Sequence, residues 1–93
     1  MSTDEIIRQR LASLQPESIE LHDESHEHAG HAGAKGGGGH YRLFIVSKLF
    51  AGKTAVARHR MVYAAVADMM KRDIHALAIT AQTPEELNRM FSH

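Results

Sequence analysis

The stretch Tyr41-Arg-Leu-Phe-Ile-Val-Ser47 decides the fold of this chain. It is rich in β-branched and aromatic residues, and residues 43–46 form a continuous apolar run. Such a run favours a strand that is covered on both faces. We therefore predict that this stretch is the central strand of a sheet around which the other elements are arranged.

Upstream, Ile19 and Leu21 alternate with Glu20 and His22. This alternation is typical of a half-buried strand, which we expect to run from about Ser18 into the glycine-rich segment that follows.

The beginning of the chain predicts an amphipathic helix. Ser2 and Glu5 have capping-box spacing, and the helix is expected to stop before Pro16. Its apolar face recurs with helical spacing at Ile7, Leu11 and Leu14.

Downstream of the central strand, a turn at Gly52 leads to Thr54, a residue type that caps helices. We expect a long helix from there to about Lys71. Its core face is predicted to consist of Val62, Ala65, Val66, Met69 and Met70.

The last part of the chain predicts a third strand and a short helix. Residues 74–81 read as the strand, and Thr83-Pro84-Glu85-Glu86 supplies an N-cap, a first-turn proline and a capping glutamate. A strand-helix-strand crossover favours parallel pairing, whereas the glycine-rich loop can join its two strands antiparallel. The prediction is an α+β domain of order α-β-β-α-β-α, with a three-stranded mixed sheet and helices packed on it.

Composition limits the function. The 93 residues fit one domain spanning 1–93, too small for a deep enclosed cavity, so a self-contained enzyme is disfavoured. There is no cysteine, and any metal must therefore bind nitrogen or oxygen. The polar N-terminus and the lack of a long apolar run lead us to expect a cytoplasmic protein without a membrane segment.

Five of the eight histidines and six of the seven glycines fall between His22 and His40. We expect a flexible loop at about 24–39, because glycine carries a high ordering entropy. Imidazole is a common ligand for borderline metals, so the loop could offer metal ligands; a solvated linker is an equally good interpretation of the composition alone.

Four motifs appear in a fixed order downstream of the central strand. They are Phe50-Ala51-Gly52, Arg58-His59-Arg60-Met61-Val62-Tyr63, His75-Ala76-Leu77 and Thr83-Pro84. The chain resembles the BolA family, whose signature is F-x-G, R-H-R-x-V-Y, H-A-L and T-P, over nearly its whole length. The resemblance implies a fold similar to a class II KH domain.

The resemblance also implies a partner rather than a reaction. BolA-like proteins pair with monothiol glutaredoxins and can share a 2Fe-2S cluster with the glutaredoxin cysteine and glutathione. On this chain the implied ligands are His75 and one loop histidine, with His28 the first choice and His31 and His26 the alternatives. The implied role is cluster transfer or sensing in iron homeostasis, with no cluster in the isolated protein, which would be a monomer or weak homodimer.

The alternative function is nucleic-acid binding by a transcription regulator, because KH-like folds contact nucleic acids and some family members are described as regulators. The zero net charge argues against it, because nucleic-acid-binding domains usually carry a strongly basic balance. The basic residues around the long helix could instead form a surface for the protein partner, or simply a solvated face. The residues of this predicted partner or nucleic-acid surface are Lys53, Arg58, His59, Arg60, Lys71 and Arg72.

Overall fold

The structure is a computed structural model that describes residues 2–25, 39–70 and 72–91. The predicted element order and the α+β class are confirmed. The elements are α1 (Thr3–Leu11), β1 (Ser18–Asp23), β2 (Gly39–Val46), α2 (Ala55–Ala65), β3 (Ile74–Gln82) and α3 (Pro84–Phe91). Short 3-10 helices at Ala12–Leu14 and Lys48–Phe50 extend α1 and connect β2 to α2. Most of the predicted flexible loop, residues 26–38, lies outside the described residues.

The sheet has the order β1-β2-β3, so the predicted central strand is confirmed. β1 and β2 are antiparallel, with Leu21 opposite Leu43, and β2 and β3 are parallel, with Leu43 beside Ile79. Because β2 and β3 run in the same direction, both strands begin at the same end of the sheet.

The core lies on the face of the sheet that α1 and α2 cover. Side chains on alternate strand positions, such as Leu43 and Ile45 of β2, are fully buried there. Their partners in the core cluster include Ile7, Leu11, Phe50, Val62, Val66 and Met69.

The opposite, outer face of the sheet is only partly covered. Val46 is buried, but Phe44 on the same face is 40% exposed. The prediction that the central strand is covered on both faces is therefore wrong over much of its length. The physical reason is the shortness of α3, whose Leu87, Met90 and Phe91 lie beside only the end of this face.

The predicted helix starts are confirmed. Ser2 and Glu5 form the reciprocal capping box of α1, and the Thr54 side chain accepts a hydrogen bond from Ala57 N. Thr83 Oγ1 accepts from Glu86 N at 3.1 Å, while Thr83 N donates to Glu86 Oε1 at 2.9 Å.

α2 ends at Ala65, so the predicted extension to about Lys71 is wrong. Beyond it the backbone closes tight turns, such as that in which Met69 N donates to Val66 O at 2.9 Å. These turns keep Val66 and Met69 in the core while the chain reverses toward Ile74, whose N donates to Met69 O at 3.0 Å. None of the described helices is long and apolar enough to cross a membrane.

Candidate functional site

Two histidines meet where β2 and β3 begin. The ring centroids of His40 and His75 are 5.0 Å apart, with their planes tilted by 45°. The strand register shifts here, because Gly39 pairs with Ile74 but His40 pairs with Ala76. His75 is thus the extra residue of a β-bulge, a feature that often re-aims a side chain beside a functional site.

The backbone around His40 is held from several sides. His40 N donates to Ser25 Oγ at 3.0 Å, and His40 O accepts from Glu24 N at 2.7 Å. The neighbouring Gly39 N donates to Asp73 O at 2.9 Å. These bonds join the start of β2 to the end of β1 and to the residue before β3, and they fix the position from which the His40 ring projects.

Gly39 allows two side chains to pack closely against the start of β2. A Cβ at this position would lie 2.5 Å from Cε2 of the buried Tyr41 and 2.7 Å from Ser25 Oγ. Both separations are shorter than real Cβ contacts, so a larger residue would force the Tyr41 ring or the Ser25 hydroxyl, which accepts from His40 N, to move. Burial is also the main cause that raises the pKa of the Tyr41 phenol, and the nearby Asp23 carboxylate adds to it.

The spacing of the two rings fits a shared metal ion. A metal–nitrogen distance of about 2.0 Å puts each ring centroid about 3.1 Å from the metal, and a tetrahedral angle then separates the two centroids by about 5 Å. His75 is exposed and His40 is half-buried, so the pair faces a surface that a partner can reach. The donor chemistry and the centroid spacing are therefore compatible with a metal centre, provided that one nitrogen of each ring points at it, and its remaining ligands would come from outside this pair.

Of the four predicted metal ligands, only His75 lies within the described residues. His75 lies beside another imidazole, whereas His26, His28 and His31 fall outside the described residues. Among residues 2–25, 39–70 and 72–91, no group of three or more His, Cys, Asp or Glu side chains could hold a metal by itself.

Sequence reasoning missed His40. The available signal was the parallel pairing of β2 and β3, since parallel strands begin at the same end of a sheet and each histidine is the second residue of its strand.

The side chain of Arg58, the first arginine of the R-H-R motif, is mostly buried and bonded to other parts of the fold. The Arg58 side chain is 12% exposed and forms a bidentate ion pair with Glu86, at 2.6 and 3.0 Å. Its Nη1 also donates to Ala81 O at 3.1 Å, and its Nε donates to Lys53 O at 2.9 Å. Arg58 thereby joins α2 to the end of β3 and to α3.

The electrostatics agree with this structural role. The hydrogen bonds from Arg58 are the largest cause that lowers the pKa of Glu86 from 4.5 to about 2, and the Thr83 backbone N–H adds to the effect. In return, the hydrogen bond with Glu86 raises the pKa of Arg58.

The tyrosine of the same motif also binds the backbone of β3. Tyr63 Oη donates to Leu77 O at 3.2 Å. Sequence reasoning missed this contact and the ion pair of Arg58, because spacing along a helix does not show which strand atoms the side chains reach.

The other members of the predicted basic surface are spread along α2. His59 lines a depression of about 520 Å³ beside β3, and the Arg60 and Lys53 side chains are exposed. Arg72, beyond the C-terminal end of α2, is near Asp68, and Lys71 lies outside the described residues. A partner or nucleic-acid role for this surface stays a prediction.

Taken together, the α-β-β-α-β-α order, the mixed sheet and the histidine pair define a small α+β protein with a candidate metal centre at the parallel strand starts. The family model described as BolA-like protein matches residues 11–86. The chain belongs to the BolA family.

Similar proteins agree with this assignment. SufE-like protein 1 of Arabidopsis thaliana is 44% identical over 87 residues, which cover 87% of this chain. The structure of the BolA domain of SufE1 from the same plant superposes with a TM-score of 0.77 at 40% identity and covers 92% of this chain and 98% of that chain. BolA1 from Arabidopsis thaliana superposes with a TM-score of 0.79 at 38% identity, covering 92% and 96%.

The chain spans only part of several curated relatives. It covers 24% of the length of SufE-like protein 1 and 52% of BOLA1 of the same plant. The activities and partners of those whole proteins therefore do not transfer directly to this chain.

Proposed function

We propose that this protein is a non-enzymatic partner of a monothiol glutaredoxin, with which it shares a 2Fe-2S cluster through His75 and a second histidine. The observation that carries the proposal is the His40–His75 pair, with ring centroids 5.0 Å apart at a bulge where two parallel strands begin. Glutaredoxin and glutathione would supply the thiolates that this cysteine-free chain lacks.

The two imidazoles suit a cluster that is passed on or used for sensing. When bound, the cluster would provide one-electron redox chemistry, at a higher potential where neutral imidazoles replace two thiolates. His75 and His40 would contribute neutral nitrogen donors, and the hydrogen bonds of Glu24 and Ser25 would keep the start of β2 in place.

The second ligand has two possible sources. His40 is the source favoured by the described geometry, and His28, with His31 and His26 as alternatives, is the source implied by the family resemblance. We include a cytoplasmic location and a role in iron homeostasis in the proposal.

The experiment mixes the purified protein with a monothiol glutaredoxin, glutathione, iron and sulfide, and records the visible absorption and circular dichroism spectra against glutaredoxin alone. We expect a heterocomplex spectrum that His75→Ala abolishes. His40→Ala and the triple replacement of His26, His28 and His31 by Ala then separate the two ligand sources, since only the set that contains the second ligand should reproduce the His75→Ala result.

His22→Ala is the matched control, because it removes an exposed imidazole that contacts Glu20 and belongs neither to the proposed ligands nor to the predicted partner surface. It should keep the heterocomplex spectrum. Binding of the cluster-free proteins, measured by calorimetry, shows whether a variant has lost the cluster or the partner. An unchanged spectrum for His75→Ala, with native folding, would contradict the proposal.

A further inference from the structure

β1 forms an edge of the sheet, and at Ile19 and Leu21 its outward backbone groups have no hydrogen-bond partner among the described residues. Glu24 N donates to His40 O, which sets the phase of the antiparallel ladder in which His22 faces Arg42. Hydrogen-bonded pairs alternate along such a ladder, so the N–H and C=O groups of Ile19 and Leu21 point away from β2. No hydrogen bond within residues 2–25, 39–70 and 72–91 ends on these edge groups.

An apolar groove lies next to this edge. It has a volume of about 510 Å³ and runs between the beginning of β1, the outer face of β2 and α3. Met90 and Phe91 are 54% and 78% exposed there. The apolar side chains of its outer-face lining are those of Phe44, Val46, Leu87, Met90 and Phe91.

The surroundings of the edge are acidic. Residues 17–24 contain Glu17, Glu20, Asp23 and Glu24, and no lysine or arginine. Glu24 is paired with Arg42, but the Glu20 side chain is 67% exposed and contacts only the neighbouring His22 among the described ion pairs. Two copies of β1 placed side by side would bring two such acidic sets together, which disfavours self-pairing.

We propose that the β1 edge binds an extended segment of a partner protein by strand addition, and that this segment alternates apolar with basic residues. The added backbone would satisfy the outward groups of Ile19 and Leu21. On the helix-covered face, apolar residues of the segment would lie beside these two side chains. On the outer face, a lysine or arginine would lie beside Glu20, and an apolar side chain near Ser18 would enter the groove.

The probe is a blocked synthetic peptide with the central sequence Lys-Val-Lys-Val-Phe, added to the ¹⁵N-labelled full chain. Amide hydrogen exchange is measured by NMR. In the free protein, Ile19 and Leu21 amides should exchange at least about 10-fold faster than those of Glu20 and His22, which donate to β2. The peptide should slow the exchange of Ile19 and Leu21 and leave Glu20 and His22 little changed.

Two other peptides and three variants separate the contributions of charge, backbone pairing and the groove to peptide binding. A Glu-Val-Glu-Val-Phe peptide should bind weakly, and a peptide with proline in place of valine should not protect the edge. Glu20→Lys should lower the affinity for the lysine peptide about 3-fold to 5-fold, as expected for one cross-strand charge pair. The same variant should raise the affinity for the glutamate peptide. Phe91→Ser removes an apolar side chain of the groove and should lower the affinity for the lysine peptide and for the glutamate peptide alike. Glu85→Lys on α3 makes the same charge change as Glu20→Lys but away from the edge, and it should leave both affinities unchanged.

Ile19→Pro removes the outward N–H without removing a β1–β2 hydrogen bond, as edge strands tolerate, and should abolish the protection of the Leu21 amide, which is the readout that remains in this variant. Where this variant does not fold, Glu20→Lys carries the test, since its side chain is solvent-exposed. Protection of Ile19 and Leu21 in the free protein would show that the edge is already covered. That result, or no change at these amides with millimolar peptide, would overturn the proposal.

Discussion

The two edge strands of the sheet, β3 and β1, differ in whether side chains bond their outward backbone groups. On β3, side chains from α2 reach the outward carbonyls, with Tyr63 on Leu77 O and Arg58 on Ala81 O. On β1, no described side chain reaches the outward groups of Ile19. An exposed strand edge is a template for pairing with another chain, and proteins commonly blunt such edges.

The difference gives part of the R-H-R-x-V-Y motif a physical role. Arg58 and Tyr63 lie five residues apart on α2 and bind carbonyls four residues apart on β3. The motif therefore closes the β3 edge in part, by bonding two of its outward carbonyls, and through Glu86 attaches α3 to it. The proposed strand addition is placed at the other edge, where no described side chain bonds the outward groups of Ile19 and Leu21.

Breaking the closed edge at Arg58 should have the largest effect. Arg58→Ala removes hydrogen bonds to two carbonyls and leaves Glu86 without its ion-pair partner. We expect a loss of about 2–3 kcal/mol in the free energy of unfolding, since hydrogen bonds to charged groups contribute about 1.5–3 kcal/mol. Urea denaturation at neutral pH measures it. A loss no greater than that of the exposed Arg60→Ala would show that the closed edge does not depend on this residue.

The carboxylate partner should produce a smaller but pH-dependent effect. The pKa of Glu86 is about 2 in the folded protein, below its ordinary value of 4.5. Because the pKa is depressed on folding, the stabilisation is fully present above about pH 4.5 and is lost as the pH falls toward 2. Glu86→Gln should therefore be less stable than the native chain at neutral pH, and the difference should shrink across this window. Thermal unfolding at several pH values tests this, with Glu85→Gln as the control.

Much of the fold could be predicted from local signals. Capping residues such as Ser2 and Thr83 act on backbone groups within their own turn, so spacing in the sequence shows them. The end of α2 could not be predicted in this way. Val66 and Met69 keep a spacing that suits a longer helix, but their burial depends on turns that bring the chain back to β3.

The candidate site, like the fold, has one part that the sequence predicts and one part that depends on tertiary contacts. His75 follows from the family motif, whereas the partnership with His40 depends on strand pairing across 35 positions of sequence. The ion pair of Arg58 is likewise a tertiary contact, with Glu86 on another helix. Its burial alters the use of the predicted basic surface, because a charge reversal at Arg58 would disturb the fold together with any binding.

The second contact of the closed edge should contribute less than the first. Tyr63→Phe removes only the hydroxyl that donates to Leu77 O. We expect a loss of about 1 kcal/mol, the usual net contribution of a neutral hydrogen bond. Denaturant unfolding with an unchanged slope would show that stability alone has changed. A loss equal to that of Arg58→Ala would mean that the two contacts are not ranked by charge.

The smallest stability effect is expected at Arg60, the exposed second arginine of the motif. Arg60→Glu should change the free energy of unfolding by no more than about 0.5 kcal/mol, as is usual for surface substitutions. It can therefore report on binding where Arg58 cannot.

If the surface serves the proposed glutaredoxin partner, the Arg60→Glu variant should bind glutaredoxin more weakly, mainly through slower association at low salt. Any affinity of the native protein for duplex DNA should be weak, salt-sensitive and independent of sequence. Sequence-specific DNA binding that Arg60→Glu removes, with glutaredoxin binding unchanged, would instead assign this side of α2 to nucleic acid and leave strand addition at β1 as the route to protein partners.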